Sequence, residues 1–328
     1  MNGRLAKKVQ KVVEIELLDP VLKEHYGSTM RISEDKAIRG ERRGKWRIVN
    51  GQLTELKYAT RAISVSIIIL CWNNLEYTKK CIESIRKNTE LNYQLVIVDN
   101  GSTDGTLQYA ETILDERDML IRSSKNMGFS SGNNLGARVT TGEYLLFLNN
   151  DCEVEVNWLE QLITASEDVA LVGASLAFLE KDDKKKILYY RGVCKNDAEP
   201  MSYLEGWCLL IRRKDFLHLE GFDVQFDPFF SEDADLSFKC REAGLKIKKL
   251  PDVPYPVHDL IHHHRGKSIV NYPNASIVRG ENDLKLYKKW VEVRKLFGSK
   301  QSGAEEKTMD VMPSAMIKPY ERVVLTEL

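Results

Sequence analysis

Between residues 65 and 148 the chain alternates short apolar runs with amphipathic stretches. "VSIIILCW" (65–72), "YQLVIVDN" (93–100), "DMLIRS" and "EYLLFL" are uninterrupted and β-rich. Such runs mark strands covered on both faces. Between them, "LEYTKKCIESIRKN" places Leu75, Cys81, Ile82 and Ile85 at roughly helical spacing. "DGTLQYAETILDE" predicts a second helix, and "SSGNNLGARVTT" a third that opens after a Gly-rich turn. Strand and helix alternating through short loops predict an α/β fold with a mostly parallel central sheet flanked by helices. Ligands of such sheets bind at the carboxyl ends of the strands.

The second half is less regular. "NWLEQLITASE" reads as a helix, "VALVGASLAFL" as one strand, and "KDDKKK" (181–186) as an exposed charged loop. "LEGWCLLIRRKDFLHLEGFD" gives a strand, a short helix and a turn at Gly221. "EDADLSFKCREAGL" (232–245) reads as a helix closed by Gly244, and "ENDLKLYKKWVEVRKLFG" as an amphipathic one. Residues 1–61 form a charged extension, with a short helix in "KKVQKVVEIELL" and a hairpin around Asn50-Gly51. The main domain spans 62–293, with a nucleotide-binding half over 62–151 and an acceptor and catalytic half over 152–293; a polar tail covers 294–328.

The totals narrow the function. The 328 residues suit one large domain, and 48 basic against 48 acidic side chains do not indicate a nucleic-acid partner. Residues 1–60 hold 13 Lys/Arg against 8 Asp/Glu, a small excess that would allow peripheral contact with an anionic membrane surface. Six cysteines form no C-x-x-C pair and mostly sit beside apolar residues, which suits reduced thiols. With neither a signal peptide nor a membrane span in the pattern, the expected location is the cytoplasm, at the cytoplasmic face of the membrane if a membrane is served.

The chemistry gathers at strand ends. The first strand runs into Asn73 and Asn74. The second ends in "VDNGSTDGT", where Asp99, Asn100 and Asp104 suit a nucleotide base or ribose, or form a turn and an N-cap. The third leads to "NMGFSSGNNLGA", where Gly128, Gly132 and Gly136 allow close backbone approach and Asn126, Asn133 and Asn134 supply amides. Phosphate contact at that helix N-terminus is expected. The fourth ends in Asn149-Asn150-Asp151. One carboxylate at a strand end is enough to begin an Mg²⁺ or Mn²⁺ site completed by substrate phosphate. "FFSEDADL" sets Glu232, Asp233 and Asp235 after aromatic residues, where they either stabilise a first helical turn or gain basicity by desolvation. "HDLIHHHRGKS" holds His258, His262, His263 and His264 with no cysteine pattern beside them, so a structural zinc site is not indicated.

Taken together and in order, "VSIIILCWNN", "LVIVDNGSTDGT", "NMGFSSGNNLGA", "GEYLLFLNND", "GWCLLIRRKDF", "GFD" and "FFSEDADL" resemble the family 2 inverting glycosyltransferases of the GT-A fold. The likeness is greatest to the bacterial rhamnosyltransferase-like branch that builds cell-surface polysaccharide, and it covers roughly residues 64 to 293. The resemblance implies a nucleotide-diphospho-sugar donor, UDP- or dTDP-linked, and a saccharide or lipid-linked saccharide acceptor. It implies that Asp99 contacts the base and Asp104 the base and ribose. Asn73, Asn74, Asn100, Asn126, Gly128, Asn133, Asn149, Asn150 and Trp207 fall on the donor side. It implies that Asp151 ligates a divalent cation, Mn²⁺ or Mg²⁺, with Asn149 replacing the first acid of the D-x-D motif. His263 is the favoured second ligand, with His262 and His264 as alternatives. Asp233 is the implied catalytic base, with Glu232 beside it. A sugar nucleotidyltransferase would need glycines that "CWNNLEYTKK" lacks, and a non-catalytic nucleotide-sugar scaffold would not need Asp233.

Overall fold

The computed structural model describes residues 64–193, 201–250, 260–264, 272 and 274–295, with backbone alone at 11–16, 29–34, 46–49, 52–55 and 325–326. The central strands are β1 (Val65–Cys71), β2 (Tyr93–Asp99), β3 (Met119–Arg122) and β4 (Tyr144–Leu148). They pair in parallel, with β1 between β2 and β4 and β3 outside β2. β10 (Cys208–Arg212) pairs antiparallel with β4, followed by β6 (Leu171–Gly173) and β11 (Ile247–Lys249). Beyond β3 the sheet order continues through Thr29–Glu34, Lys11–Glu16 and Leu325–Thr326.

Successive side chains of a strand point to opposite faces, and here both faces are covered. Ile67, Ile69, Leu95, Ile97, Leu146 and Leu148 join one core with Cys81, Ile82 and Ile85 of α1 (Leu75–Asn88) and with Trp158 of α4 (Trp158–Ala165). Ile68, Val96, Val98, Leu145 and Phe147 join a second core with Ala137 of α3 (Phe129–Val139), Phe216 of α5 (Arg213–His218) and Leu236 of α6 (Glu232–Glu242). Burying each such side chain contributes about 1.5–3 kcal/mol, which fixes the register of the strands and so the place of their ends. A smaller antiparallel sheet is formed by β7 (Leu176–Asp182), β8 (Ile187–Val193) and β9 (Ser202–Leu204). It packs through Leu179, Leu188 and Tyr203 on Leu286, Tyr287 and Trp290 of the last helix, Ala275–Tyr287 (α7) with its π-helical continuation Lys288–Val293.

Several elements differ from the sequence pattern. Lys11–Glu16 is a strand where a short helix was expected, in keeping with the β-branched Val12, Val13 and Ile15. Trp46–Val49 and Gln52–Glu55 pair antiparallel; Asn50-Gly51 lies outside the described residues. "VALVGASLAFL" is split between two sheets: β6 ends at Gly173, and β7 starts at Leu176. A Cβ on Gly173 would lie 2.9 Å from Leu204 Cβ, so only glycine lets the chain turn there against β9. "KDDKKK" is the end of β7 and the hairpin turn into β8. The helix after the Gly-rich turn starts at Phe129, so Gly132 and Gly136 lie inside it. A Cβ on them would meet Leu70 Cδ1 at 2.4 Å and Ile68 Cγ2 at 2.6 Å. Those two glycines let α3 lie close on the sheet; they do not line a phosphate loop. Among the described residues, no helix is long and apolar enough to cross a membrane.

Candidate active site

The parallel strands bring Cys71, Asp99 and Arg122 side by side at one edge of the sheet. Many polar groups there are consumed by the fold. Asn73 Oδ1 accepts from the Thr103 N–H at 2.8 Å, and the Asn73 N–H donates to Ser102 Oγ at 2.9 Å. Asn74 takes the left-handed conformation (φ 62°) that turns the chain into α1, and its carbonyl accepts from the N–H groups of Tyr77 and Thr78. Asp104 serves two helices. Its Oδ2 accepts from the Leu75 N–H at 2.8 Å, and its Oδ1 from Thr106 N–H and Oγ1 at 3.1 and 2.6 Å. Although burial pushes the other way, these bonds hold the Asp104 carboxyl below its ordinary value.

Asn100 is buried; its Oδ1 accepts from the Met127 N–H and its Nδ2 donates to Asn126 Oδ1 and the Gly128 carbonyl. Asn126 Oδ1 also accepts from the Gly128 N–H at 2.8 Å. Gly128 has φ +94°, and a Cβ there would stand 2.3 Å from Asp227 Oδ1, which caps α3 through the Ser130 N–H. Asn133, buried in α3, donates to the Phe129 carbonyl. Asn150 Nδ2 donates to Thr78 Oγ1 at 2.9 Å and to the Asn73 carbonyl.

Other groups on the same edge are left with open valence. Asp99 is fully buried; its Oδ1 accepts from the Ser102 N–H, while Oδ2 has no hydrogen bond and Arg122 Nε lies 4.0 Å away. Burial raises its carboxyl above the ordinary value, against the opposing bonds from Ser102. Asp151 is 3% exposed and its Oδ1 is without a hydrogen bond. His263 Nε2 stands 3.2 Å from that oxygen, outside hydrogen-bond geometry, and neither ring nitrogen finds a donor or acceptor.

The placement of His263 follows from strand pairing. β12 (Ile261–His263) runs antiparallel to β5 (Cys152–Val154), with His263 opposite Cys152. Its neighbours go elsewhere: His262 Nε2 is 3.6 Å from Glu155, and His264 Nε2 is 2.7 Å from Glu153. Of His262, His263 and His264, His263 is the one that joins Asp151; His258 lies outside the described residues. The Trp207 ring stacks on His263 with centroids 4.8 Å apart and an interplanar angle of 16°. A carboxylate oxygen and an imidazole nitrogen, both buried and unpartnered, fit the donor set of a divalent cation. Cys152 supplies a third donor atom within 4.8 Å, and burial pushes its thiol well above the ordinary value, which disfavours the thiolate.

The acidic pair opens α6. Phe230 and Ser231 precede it in left-handed conformations (φ 77° and 74°). That strain is held by Asn282 Nδ2, which donates to the carbonyls of Phe226, Phe229 and Phe230. Asp233 Oδ2 accepts from the Gly206 N–H and its Oδ1 from the Ala234 N–H, each at 2.8 Å. Burial pushes its carboxyl up to about 6 despite those two bonds. Glu232 is 5% exposed, with Oε2 unpartnered, and burial with the neighbouring Asp233 charge drives it well above the carboxylate range. Both adjacent acids are thereby raised above the ordinary carboxylate value, Glu232 further than Asp233, which keeps its two backbone hydrogen bonds. A cleft of about 330 Å³ takes in Asn149, Trp207 and His263, passes Gly206 and Asp233, and reaches Arg279 and Asp283 of α7. Glu205, Gly206, Tyr190, Arg279 and Asp283 were not singled out in the sequence. Gly206 opens the "GWCLLI" motif and Glu205 adjoins it, but nothing local marks the α7 residues as cleft-lining.

Residues 66–218 match the family model described as "Glycosyl transferase family 2". The chain is 25% identical over 249 residues to "Putative glycosyltransferase EpsH" of Bacillus subtilis (strain 168), covering 69% of this chain and 72% of that protein. It is 33% identical over 121 residues to "Glycosyltransferase AglE" of Haloferax volcanii, covering 35% and 40%. Among solved structures, "Crystal structure of GalNAc-T7 with UDP, GalNAc and Mn2+" superposes with a TM-score of 0.55 at 18% identity, over 70% of this chain and 48% of that one. That superposition shows the GT-A fold. The matched region spans less than half of the archaeal relative and of the crystallised chain.

Proposed function

We propose, from the premise that this chain carries a glycosyl transferase family 2 domain over residues 66–218, that it transfers a sugar from a nucleoside-diphosphate sugar to a hydroxyl of a saccharide or lipid-linked saccharide, with inversion. One observation carries the reading: His263, whose unpartnered ring faces the open oxygen of Asp151, lines the same cleft as the Glu232/Asp233 pair. Asp151 and His263 would hold Mn²⁺ or Mg²⁺, which when bound supplies Lewis-acid compensation of the charge on the departing diphosphate. Asp233, ionised at neutral pH and fixed by the Gly206 N–H, takes the proton from the acceptor hydroxyl as that oxygen attacks the anomeric carbon. Attack opposite the leaving group inverts the centre without a covalent intermediate. Glu232, held well above the ordinary carboxylate range by burial and by the Asp233 charge, is not assigned the proton abstraction.

On the donor side, the open Oδ2 of Asp99 suits the imide N–H of uracil or thymine, so UDP- and dTDP-sugars are the donors proposed. Asn149 and Trp207 flank the diphosphate and sugar. Asn73, Asn74, Asn100, Asp104, Asn126, Gly128, Asn133 and Asn150 give the edge its shape. The test is nucleotide release from a panel of UDP- and dTDP-sugars, with and without a chelator. Release that needs Mn²⁺ or Mg²⁺ is expected; full release in chelator, or none from any donor, would overturn the reading.

A further inference from the structure

Beyond Asp233 the cleft has walls that the reaction itself does not require. The small sheet contributes Tyr190, Tyr203 and Glu205, and α7 contributes Arg279 and Asp283. Tyr190 lies on β8 and remains 38% exposed at the cleft. The Phe230 ring is covered by the Arg279 guanidinium, 3.8 Å from its centroid. That contact turns the cation of this wall toward an aromatic face. Glu205, Glu232, Asp233 and Asp283 line the cleft against Arg279 as the one Arg or Lys among the described lining residues. Glu232 Oε2 is buried within that lining and unpartnered.

We infer that this wall is an acceptor subsite for an uncharged saccharide, with Tyr190 as the platform for the apolar face of the sugar ring and Glu205 and Asp283 as acceptors for its hydroxyls. The inference rests on the glycosyltransferase reading and specifies its acceptor. Three physical points support it. A pyranose has one C–H-rich face and a rim of O–H donors, which match an exposed phenol ring and carboxylate acceptors. The volume of about 330 Å³ is at the small end for ligand sites and suits a terminal sugar unit. Three carboxylates, Glu205, Asp233 and Asp283, facing one guanidinium repel a phosphate or uronate, so discrimination against anionic acceptors is built into the wall.

The test uses the full chain with Mn²⁺ and proceeds in two arms. Calorimetry with UDP- and dTDP-sugars first establishes donor binding without any acceptor; no binding by any donor overturns the glycosyltransferase reading, and this inference with it. With a binding donor, transfer is measured to octyl glycosides of glucose, galactose, N-acetylglucosamine, mannose and rhamnose, and to octyl glucuronide. Transfer to at least one neutral glycoside, and at least about tenfold weaker transfer to the glucuronide, is expected. Tyr190→Ala should raise the acceptor KM about threefold to tenfold, the scale of one aromatic contact, with the donor KM within twofold of wild type. Asp283→Asn should narrow the gap between neutral and anionic acceptors. Donor binding accompanied by equal or better use of the glucuronide, by no transfer to any neutral glycoside, or by an unchanged acceptor KM in Tyr190→Ala would overturn the subsite and leave the family reading standing.

Discussion

Asn126 and Asp151 stand on the same edge of one sheet, each just past a strand, and each in a stretch dense with amides. Around Asn126 the side-chain amides close on the chain itself: Asn126 Oδ1 accepts from Asn100 and Gly128, and Asn100 Oδ1 from Met127. Around Asp151 the reverse holds, with a buried carboxylate oxygen and two ring nitrogens of His263 lacking any hydrogen bond. A buried polar group without a partner costs about 1–3 kcal/mol, more if charged. The fold bears that cost in one corner and avoids it in the other. Composition does not separate scaffold from site here; the accounting of hydrogen bonds does.

The comparison breaks if the open-valence residues prove structural or the closed ones prove catalytic. The largest effect is expected at Asp233. Asp233→Asn keeps the shape but cannot accept a proton, so kcat should fall by roughly 10²–10⁴-fold with donor affinity near wild type, measured by steady-state turnover. Glu232→Gln should lose less; a larger loss there would move the base to Glu232. Because burial raises Asp233 to about 6, the base is ionised above that pH and protonated below it. The kcat/KM of wild type should therefore decline toward tenfold per unit as pH falls through about 6, and a flat profile from pH 5 to 8 would count against the assignment.

Next in size is the cation corner. Asp151→Asn should lower turnover by roughly 10²-fold or more and abolish the response to added Mn²⁺, since charge compensation at a leaving group is worth several kcal/mol. In metal-free buffer the same variant should melt no lower than wild type, because it removes an uncompensated carboxylate. A clear drop in Tm would make Asp151 a structural residue. Asp99→Asn should weaken UDP or dTDP binding by about 1.5–3 kcal/mol, read by calorimetry, and unchanged affinity would leave Asp99 a turn residue. The smallest functional effect belongs to the closed turn: Asn126→Ala should cost about 1–3 kcal/mol of stability while kcat per folded molecule stays near wild type.

The strands of the first half were legible because residues 65–72, 93–100 and the run ending at Leu148 are buried on both faces, and burial on both faces writes itself as an unbroken apolar run. Asp99, Asp151 and Asp233 stand out in the sequence through motif order. Which histidine joins Asp151 was not decided by the run His262-His263-His264 alone. It depends on the antiparallel register of β12 on β5, a contact between residues more than a hundred positions apart. Gly132 and Gly136 misled for the opposite reason: a glycine needed for helix-on-sheet approach looks, in one dimension, like a glycine needed for a ligand. The Asp104 contacts at two helix starts match the N-cap alternative its sequence offered, whereas the turn built around Asn126 was hidden because an amide spent on a turn and an amide offered to a nucleotide have the same letter.

One short strip of backbone joins the two working ends of the cleft. Glu205 adjoins the acceptor wall, the Gly206 N–H grips Asp233, and Trp207 lies flat on His263. Proton acceptor and cation corner are thus each tied, by a hydrogen bond and by a ring stack, to adjacent residues of one strip whose own length is covalent, on the order of 7 Å for two residues of extended chain. Side-chain repacking can tilt either end but cannot stretch the strip. A laboratory variant for a bulkier donor sugar would have to change this gauge by inserting or deleting a residue, and each such edit would move the base and the cation corner relative to each other by a fixed step. Substitutions alone would retune what the cleft grips while leaving its span untouched.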